Sequence, residues 1–242
     1  MINIDAILSK KPFAIIGHRG ARGVKPENTL VSFEYAIEKG VDIVEMDLHR
    51  TRDGEIIVFH DPDFKRLAGI DKKVSEVDLA FIKEHIRIQG EPVPTLKEVI
   101  EKVKDRAGMF LEIKDPEITS KVVEIVQENK IQNQVAIISF YDEVLIEVRK
   151  IDEQIITGLI YLKPPGRIFE AKKLGANIVL PFYRIATEKA NAVAHKLDLK
   201  VAVWTVNDLE TAKEMYMRKV DAIATDFPEI LVAFRNELQI KD

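Results

Sequence analysis

Carboxylates and cations recur in this sequence two residues apart, inside short apolar runs. Glu45 and Asp47 lie in DIVEMDL, and Glu112 and Lys114 lie in MFLEIK. Side chains of a strand alternate between faces, so each charged pair shares one face while Val44 with Met46, and Leu111 with Ile113, share the other. Three carboxylates converging on one place repel one another and lose hydration, which raises their pKa values unless positive charge sits among them. A bound cation is the simplest remedy, and an oxygen donor set favours Mg²⁺ or Ca²⁺ over zinc or copper. His18-Arg19 and His60-Asp61 end two further apolar runs. Two imidazoles near such a cation supply one group to take a proton and another to give one. Arg19 and Lys114 add fixed positive charge suited to phosphate oxygens. The combination suits cleavage of a phosphoryl ester.

These residues need a scaffold that gathers strand ends, and the chain supplies the pattern of one. Apolar runs at 13–17, 42–48, 109–114, 134–139, 154–161, 176–180, 200–206 and 221–226 alternate with segments of helical period. That alternation is the signature of parallel strands joined by crossover helices. Helices are expected to begin near Asn28, Thr95, Glu117, Asp142, Arg167, Thr187, Asp208 and Glu229, several of them behind a capping or first-turn residue. Eight strands and eight helices predict an α/β fold, a (β/α)8 TIM barrel, as a single catalytic domain over 1–242. The run EIIVFHD (55–61) follows the second strand across Asp53-Gly54, too closely for a parallel crossover, and reads as the return arm of a β-hairpin. Residues 62–94 then form a short cap-like insertion. Barrel enzymes place their sites at the C-terminal ends of the strands, where the charged residues of this chain cluster.

The segment GHRGARGVKPENTLVSFEYAIEKGVDIVEMDLHRTRDGEIIVFHD (17–61) resembles the ordered signature of the glycerophosphodiester phosphodiesterase family. PTLKEV (94–99), LEIK (111–114), VWTVND (203–208) and VDAIATDFP (220–228) continue the likeness over nearly the whole barrel. The resemblance implies hydrolysis of a small-molecule glycerophosphodiester to glycerol 3-phosphate and an alcohol. It implies that His18 and His60 are the acid and base, that Glu45, Asp47 and Glu112 hold the divalent cation, and that Arg19 and Lys114 engage the phosphate. It also implies that Trp204 lines the glycerol pocket. The insertion at 62–94 is shorter than the cap segment of many family members, which leaves the depth of the pocket open. A related reading within the family is a lysophospholipase D, which needs an apolar rim; Phe64, Phe140, Phe182 and Tyr183 are the residues that could form one.

Other readings compete for the same residues. Inward Glu45 and Glu112 resemble the carboxylate pair of a glycoside hydrolase, but that leaves His18, His60 and Lys114 without a task. Glu45 and Asp47 could pair with Arg19 and Lys114 in a structural network, and a barrel without turnover could keep a ligand-binding role. His49, His85 and His195 read as hydrogen-bonded structural histidines, and Asp226 as a turn or helix-cap residue.

Composition narrows the field further. An apolar content of 46% and a charged content of 31% describe an ordinary globular chain. The 36 basic and 40 acidic residues give a formal net charge of −4, with no basic stripe, so nucleic acid is not an expected partner. The absence of cysteine removes disulfides, thiolate chemistry and Cys-type zinc sites. No run approaches the roughly 20 apolar residues needed to span a bilayer. The opening residues lack the pattern of a signal peptide, so a cytoplasmic location is the expectation. The sequence does not fix the oligomeric state.

Overall fold

The apolar residues between the charged positions decide which way each strand faces. Val44, Met46 and Leu48, like Leu111 and Ile113, pack outward into the large core shared with the helices, whereas Ile43 and Phe110 join the barrel interior. The carboxylates at 45, 47 and 112 are therefore turned toward the barrel axis, as strand alternation requires.

The computed structural model describes residues 2–240. Its strands are β1 (Ala14–Gly17), β2 (Ile43–Arg50), β3 (Ile56–Val58), β4 (Arg87–Ile88), β5 (Glu91–Pro92) and β6 (Gly108–Ile113). They continue as β7 (Val135–Ser139), β8 (Ile156–Tyr161), β9 (Ile178–Pro181), β10 (Lys200–Val203) and β11 (Ala222–Thr225). Strands β1, β2 and β6 to β11 pair in parallel around a ring that closes where β1 meets both β2 and β11. This is the expected eight-stranded (β/α)8 barrel. β3 lies antiparallel beside β2, with Leu48 opposite Val58 and Arg50 opposite Ile56, so the hairpin is also as expected. Gly54 takes a left-handed φ of 88° in its turn, a conformation that glycine adopts without steric cost.

Two elements go beyond the sequence reading. A short helix, Ile4–Leu8, precedes β1 and buries Ile4, Ile7 and Leu8 against the barrel interior. Gly108 makes room for it: a Cβ there would lie 2.6 Å from the Ile4 side chain. This helix covers the end of the barrel where the parallel strands begin. The 62–94 insertion folds around its own apolar cluster, which includes Phe59, Phe64, Ile82, Ile86 and Val93. It comprises helices Lys65–Ala68 and Leu79–His85 and the two-stranded ribbon β4–β5. Phe64 is fully buried there, its ring 5.1 Å from that of Phe59, so it is not a rim residue. Phe64→Ala is expected to cost about 3–5 kcal/mol, read as a lower urea midpoint; an unchanged midpoint would show that the insertion does not fold cooperatively with the barrel.

Among the described residues, no helix is long and apolar enough to cross a membrane.

Candidate active site

β1 ends at Gly17, and the chain turns at once so that His18 and Arg19 stand over the barrel mouth. The turn is tight enough that a Cβ on Gly17 would lie 2.3 Å from the carbonyl oxygen of Gly20. Arg19 itself adopts a left-handed φ of 49°, held there by its backbone N–H, which donates to Glu45 Oε2 at 2.9 Å. Asn28 is also left-handed, at φ 58°, and its backbone N–H donates to the Arg19 carbonyl. Strain of this kind in non-glycine residues persists only where the surroundings over-determine it, and it gathers at functional sites.

Glu45 and Asp47 project from β2, and Glu112 projects from β6, where Asp47 and Glu112 are direct neighbours in the register. One carboxylate oxygen of each lies within 4.8 Å of one from each of the others. Asp47 is the most heavily solvated by protein. It accepts from Asn28 Nδ2 at 2.9 Å, and Lys114 Nζ and Arg19 Nε lie 3.0 and 3.1 Å away. Burial alone would raise its pKa, but Lys114, then Arg19, hold it well below the usual carboxylate range. Glu112 is pushed up to about 7 by burial and then by the Asp47 charge, despite Lys114 Nζ at 2.6 Å. Burial, then Asp47 and Glu112, also raise Glu45 well above its ordinary value. Its Oε1 is buried and has no hydrogen-bond partner among the described residues.

A buried carboxylate oxygen left bare beside two other carboxylates fits a place able to hold a cation, because an unpaired buried polar atom is costly. The donor set is all oxygen and hard, which fits Mg²⁺ or Ca²⁺. A purely structural ion network would have given Glu45 Oε1 a partner, as it gives Asp47 several.

The two histidines are held alike. His18 Nδ1 lies 2.6 Å from Asp226 Oδ1, and Asp226 in turn accepts from Asn207 Nδ2 at 2.8 Å. His60 Nδ1 lies 2.6 Å from Asp61 Oδ1. A carboxylate on Nδ1 orients the ring and leaves Nε2 for the pocket side, where it accepts a proton when neutral and donates one when charged. His18 Nε2 is 4.0 Å from Glu45. Burial, opposed by Asp47 and reinforced by Lys114, lowers the His60 pKa below its ordinary 6.5. Asp226, which the sequence suggested as a turn residue, is thus a partner of His18.

Opposite this polar wall stand Ile138, Ile160, Leu180, Ala202, Ala224 and Phe110, lining a cavity of about 220 Å³ with the charged residues and Trp204. That is room for a small ligand rather than a drug-sized one. The Trp204 indole N–H donates to the Leu180 carbonyl at 2.8 Å, and Phe140 and Phe182 pack against the ring at centroid distances of 5.9 and 5.8 Å. Tyr183 extends this aromatic group, its ring 4.7 Å from that of Phe182. The remaining histidines have structural settings: His49 Nε2 meets the His60 carbonyl, His195 pairs with Asp221, and His85 packs edge-on to Phe81.

The acidic, histidine-flanked pocket lies at the C-terminal ends of the parallel strands, where (β/α)8 barrel enzymes carry their active sites. Residues 18–161 match the family model described as glycerophosphoryl diester phosphodiesterase family. The chain belongs to that family, and it is an enzyme of the phosphoric diester hydrolase class. Among its relatives, the glycerophosphodiester phosphodiesterase of Caldanaerobacter subterraneus subsp. tengcongensis is 32% identical over 90% of this chain and 96% of its own. A glycerophosphodiester phosphodiesterase structure from Thermotoga maritima is 30% identical, covers 93% of this chain and 100% of its own, and superposes with a TM-score of 0.82. A structure from Silicibacter pomeroyi, 25% identical, covers 96% of this chain and 97% of its own with a TM-score of 0.88.

Proposed function

We propose that the enzyme hydrolyses glycerophosphodiesters to glycerol 3-phosphate and an alcohol in a reaction that requires a divalent cation. The observation that carries this reading is the bare, buried Glu45 Oε1 within a carboxylate triad flanked by two Asp-held imidazoles. Glu45, Asp47 and Glu112 would hold Mg²⁺ or Ca²⁺, which when bound supplies positive charge against the oxygens of the phosphoryl group. The catalytic unit in this reading is the single barrel with residues 62–94 inserted within it.

The rest of the chemistry is the chain's own. Arg19 and Lys114 offer fixed N–H donors to the phosphoryl oxygens as negative charge gathers there. One histidine takes a proton from the attacking hydroxyl, either water or the glycerol 2-hydroxyl, and the other gives one to the departing alkoxide. Asp226 and Asp61 keep both rings turned so that Nε2 performs these transfers. Trp204 closes the apolar side of the pocket and lies against the carbon skeleton of the glycerol.

Release of glycerol 3-phosphate is expected from glycerophosphocholine, glycerophosphoethanolamine or glycerophosphoglycerol, lost with a chelator and regained with Mg²⁺ or Ca²⁺. A lysophospholipid offered in parallel tests the rival lysophospholipase D reading, in which the retained glycerol phosphate carries an acyl chain. No release from any soluble glycerophosphodiester, with either cation present, would remove the proposal.

A further inference from the structure

The insertion at 62–94 supplies none of the groups assigned to proton transfer, cation holding or phosphate contact, yet one of its side chains reaches toward two of them. Arg66, on the helix Lys65–Ala68, grips Asp61 through both carboxylate oxygens, with Nε donating to Oδ2 at 2.6 Å and Nη2 to Oδ1 at 3.1 Å. The same guanidinium grips Glu27, with Nη2 donating to Oε1 at 2.7 Å and Nη1 to Oε2 at 3.2 Å. Asp61 is the carboxylate on His60 Nδ1. Glu27 is the carboxylate that accepts from Arg19 Nη1 at 2.9 Å, with Arg22 Nε 3.3 Å from its other oxygen. The chain of contacts runs His60–Asp61–Arg66–Glu27–Arg19, from a histidine on the hairpin arm to the arginine after β1.

We propose that Arg66 is a positioning residue that sets His60 and Arg19 in one shared register, so that the insertion completes the site instead of only covering it. The proposal rests on the roles given above to His60 and Arg19. A planar guanidinium is the side chain able to do this, because its fixed fork of donors serves two carboxylates at once; an ammonium is a point charge without that geometry. The Arg66 side chain is 45% exposed, so solvent screening weakens the stability its ion pairs supply, even though Glu27 and Asp61 are only 6% and 17% exposed. Their effect on placement is larger, since misplacing a reacting group by about 1 Å costs up to about 100-fold in rate.

The test compares Arg66→Ala, Arg66→Lys, Asp61→Asn and the Asp61→Asn/Arg66→Ala double variant, assayed on glycerophosphocholine with saturating cation, with melting curves alongside. Arg66→Ala is expected to lower kcat about 10-fold and raise KM severalfold, with Tm changed by no more than about 2 °C. Arg66→Lys falls short of restoring both constants, and added guanidinium ion partly rescues Arg66→Ala. The double variant has the kcat of Asp61→Asn but the raised KM of Arg66→Ala, because the His60 and Arg19 arms separate. Wild-type kcat and KM in Arg66→Ala would overturn the proposal. So would a loss of kcat at unchanged KM, tracking a lowered Tm and insensitive to guanidinium, which marks a purely structural residue. An inert wild-type enzyme would remove both the proposal and the reading beneath it, whereas an active wild type indifferent to Arg66 removes the proposal alone.

Discussion

Chelation of divalent cations is expected to lower kcat/KM by about 1000-fold or more, because Lewis-acid stabilisation of a phosphoryl transition state is worth several kcal/mol. Glu45→Gln should produce a comparable loss that added Mg²⁺ or Ca²⁺ does not repair, since it removes charge from the carboxylate whose Oε1 is otherwise bare. The same cluster gives the protein a pH signature. Glu112, pushed up to about 7 from an ordinary 4.5, holds its proton more tightly folded than unfolded. Its contribution to stability in the cation-free protein is therefore complete below about 4.5 and is lost as pH rises toward 7. Glu45, also raised, acts in the same direction. The lowered pKa of Asp47 acts only at more acidic pH, where protonation of that group removes stability. His49 and His60, whose pKa values are lowered, move stability the opposite way near pH 6.5, so the comparison needed is wild type against Glu112→Gln. In chelator, wild-type Tm relative to that variant should fall between pH 5 and 7.5. Added cation should raise Tm more at pH 7.5 than at pH 5, where protons compete for the ligands. Full activity in chelator with no cation-induced shift in Tm would show that the triad is a structural network.

His18→Ala and His60→Ala are each expected to lower kcat by about 100-fold or more, in line with the worth of a positioned general acid or base. Both rings face the open pocket, with side chains 13% and 31% exposed, and each is held by one carboxylate. Folding should therefore survive both changes, and loss of rate can be read as loss of chemistry. Because proton removal and proton delivery belong to one displacement, the double variant should fall by much less than the product of the single losses. Single-turnover measurements with cation saturating would separate this from weaker binding. Near-normal kcat in both single variants would exclude the pair from the mechanism.

The parts of this site that could be read from sequence are those fixed by local periodicity. Alternation along β2 and β6 determines that Glu45, Asp47 and Glu112 share the interior, and no tertiary detail can reverse it without exposing Val44, Met46 and Leu111. The close Asp53-Gly54 turn likewise forces β3 back beside β2 and brings His60 to the mouth. Contacts between loops carried no such signal. Asp226 meets His18 across 208 positions of sequence, and Arg66 meets Glu27 across 39, so neither pairing has a spacing from which it could be inferred. Asp226 was expected to be a turn residue, and only the adjacency of β1 and β11 in the closed ring brings it to His18. Phe64 was one of the aromatics that could form an apolar rim, whereas the insertion builds a core around it. The helix Ile4–Leu8 is barely more than one turn long, too short for a helical period to declare itself.

That first turn of helix also bears on traffic through the enzyme. With Ile4, Ile7 and Leu8 packed into the end where the strands begin, and none of them lining the cavity, exchange with solvent is expected through the mouth at the C-terminal ends of the strands. In the proposed reaction the alcohol and the phosphate-bearing half would leave by that same mouth, which is expected to impose an order on their release.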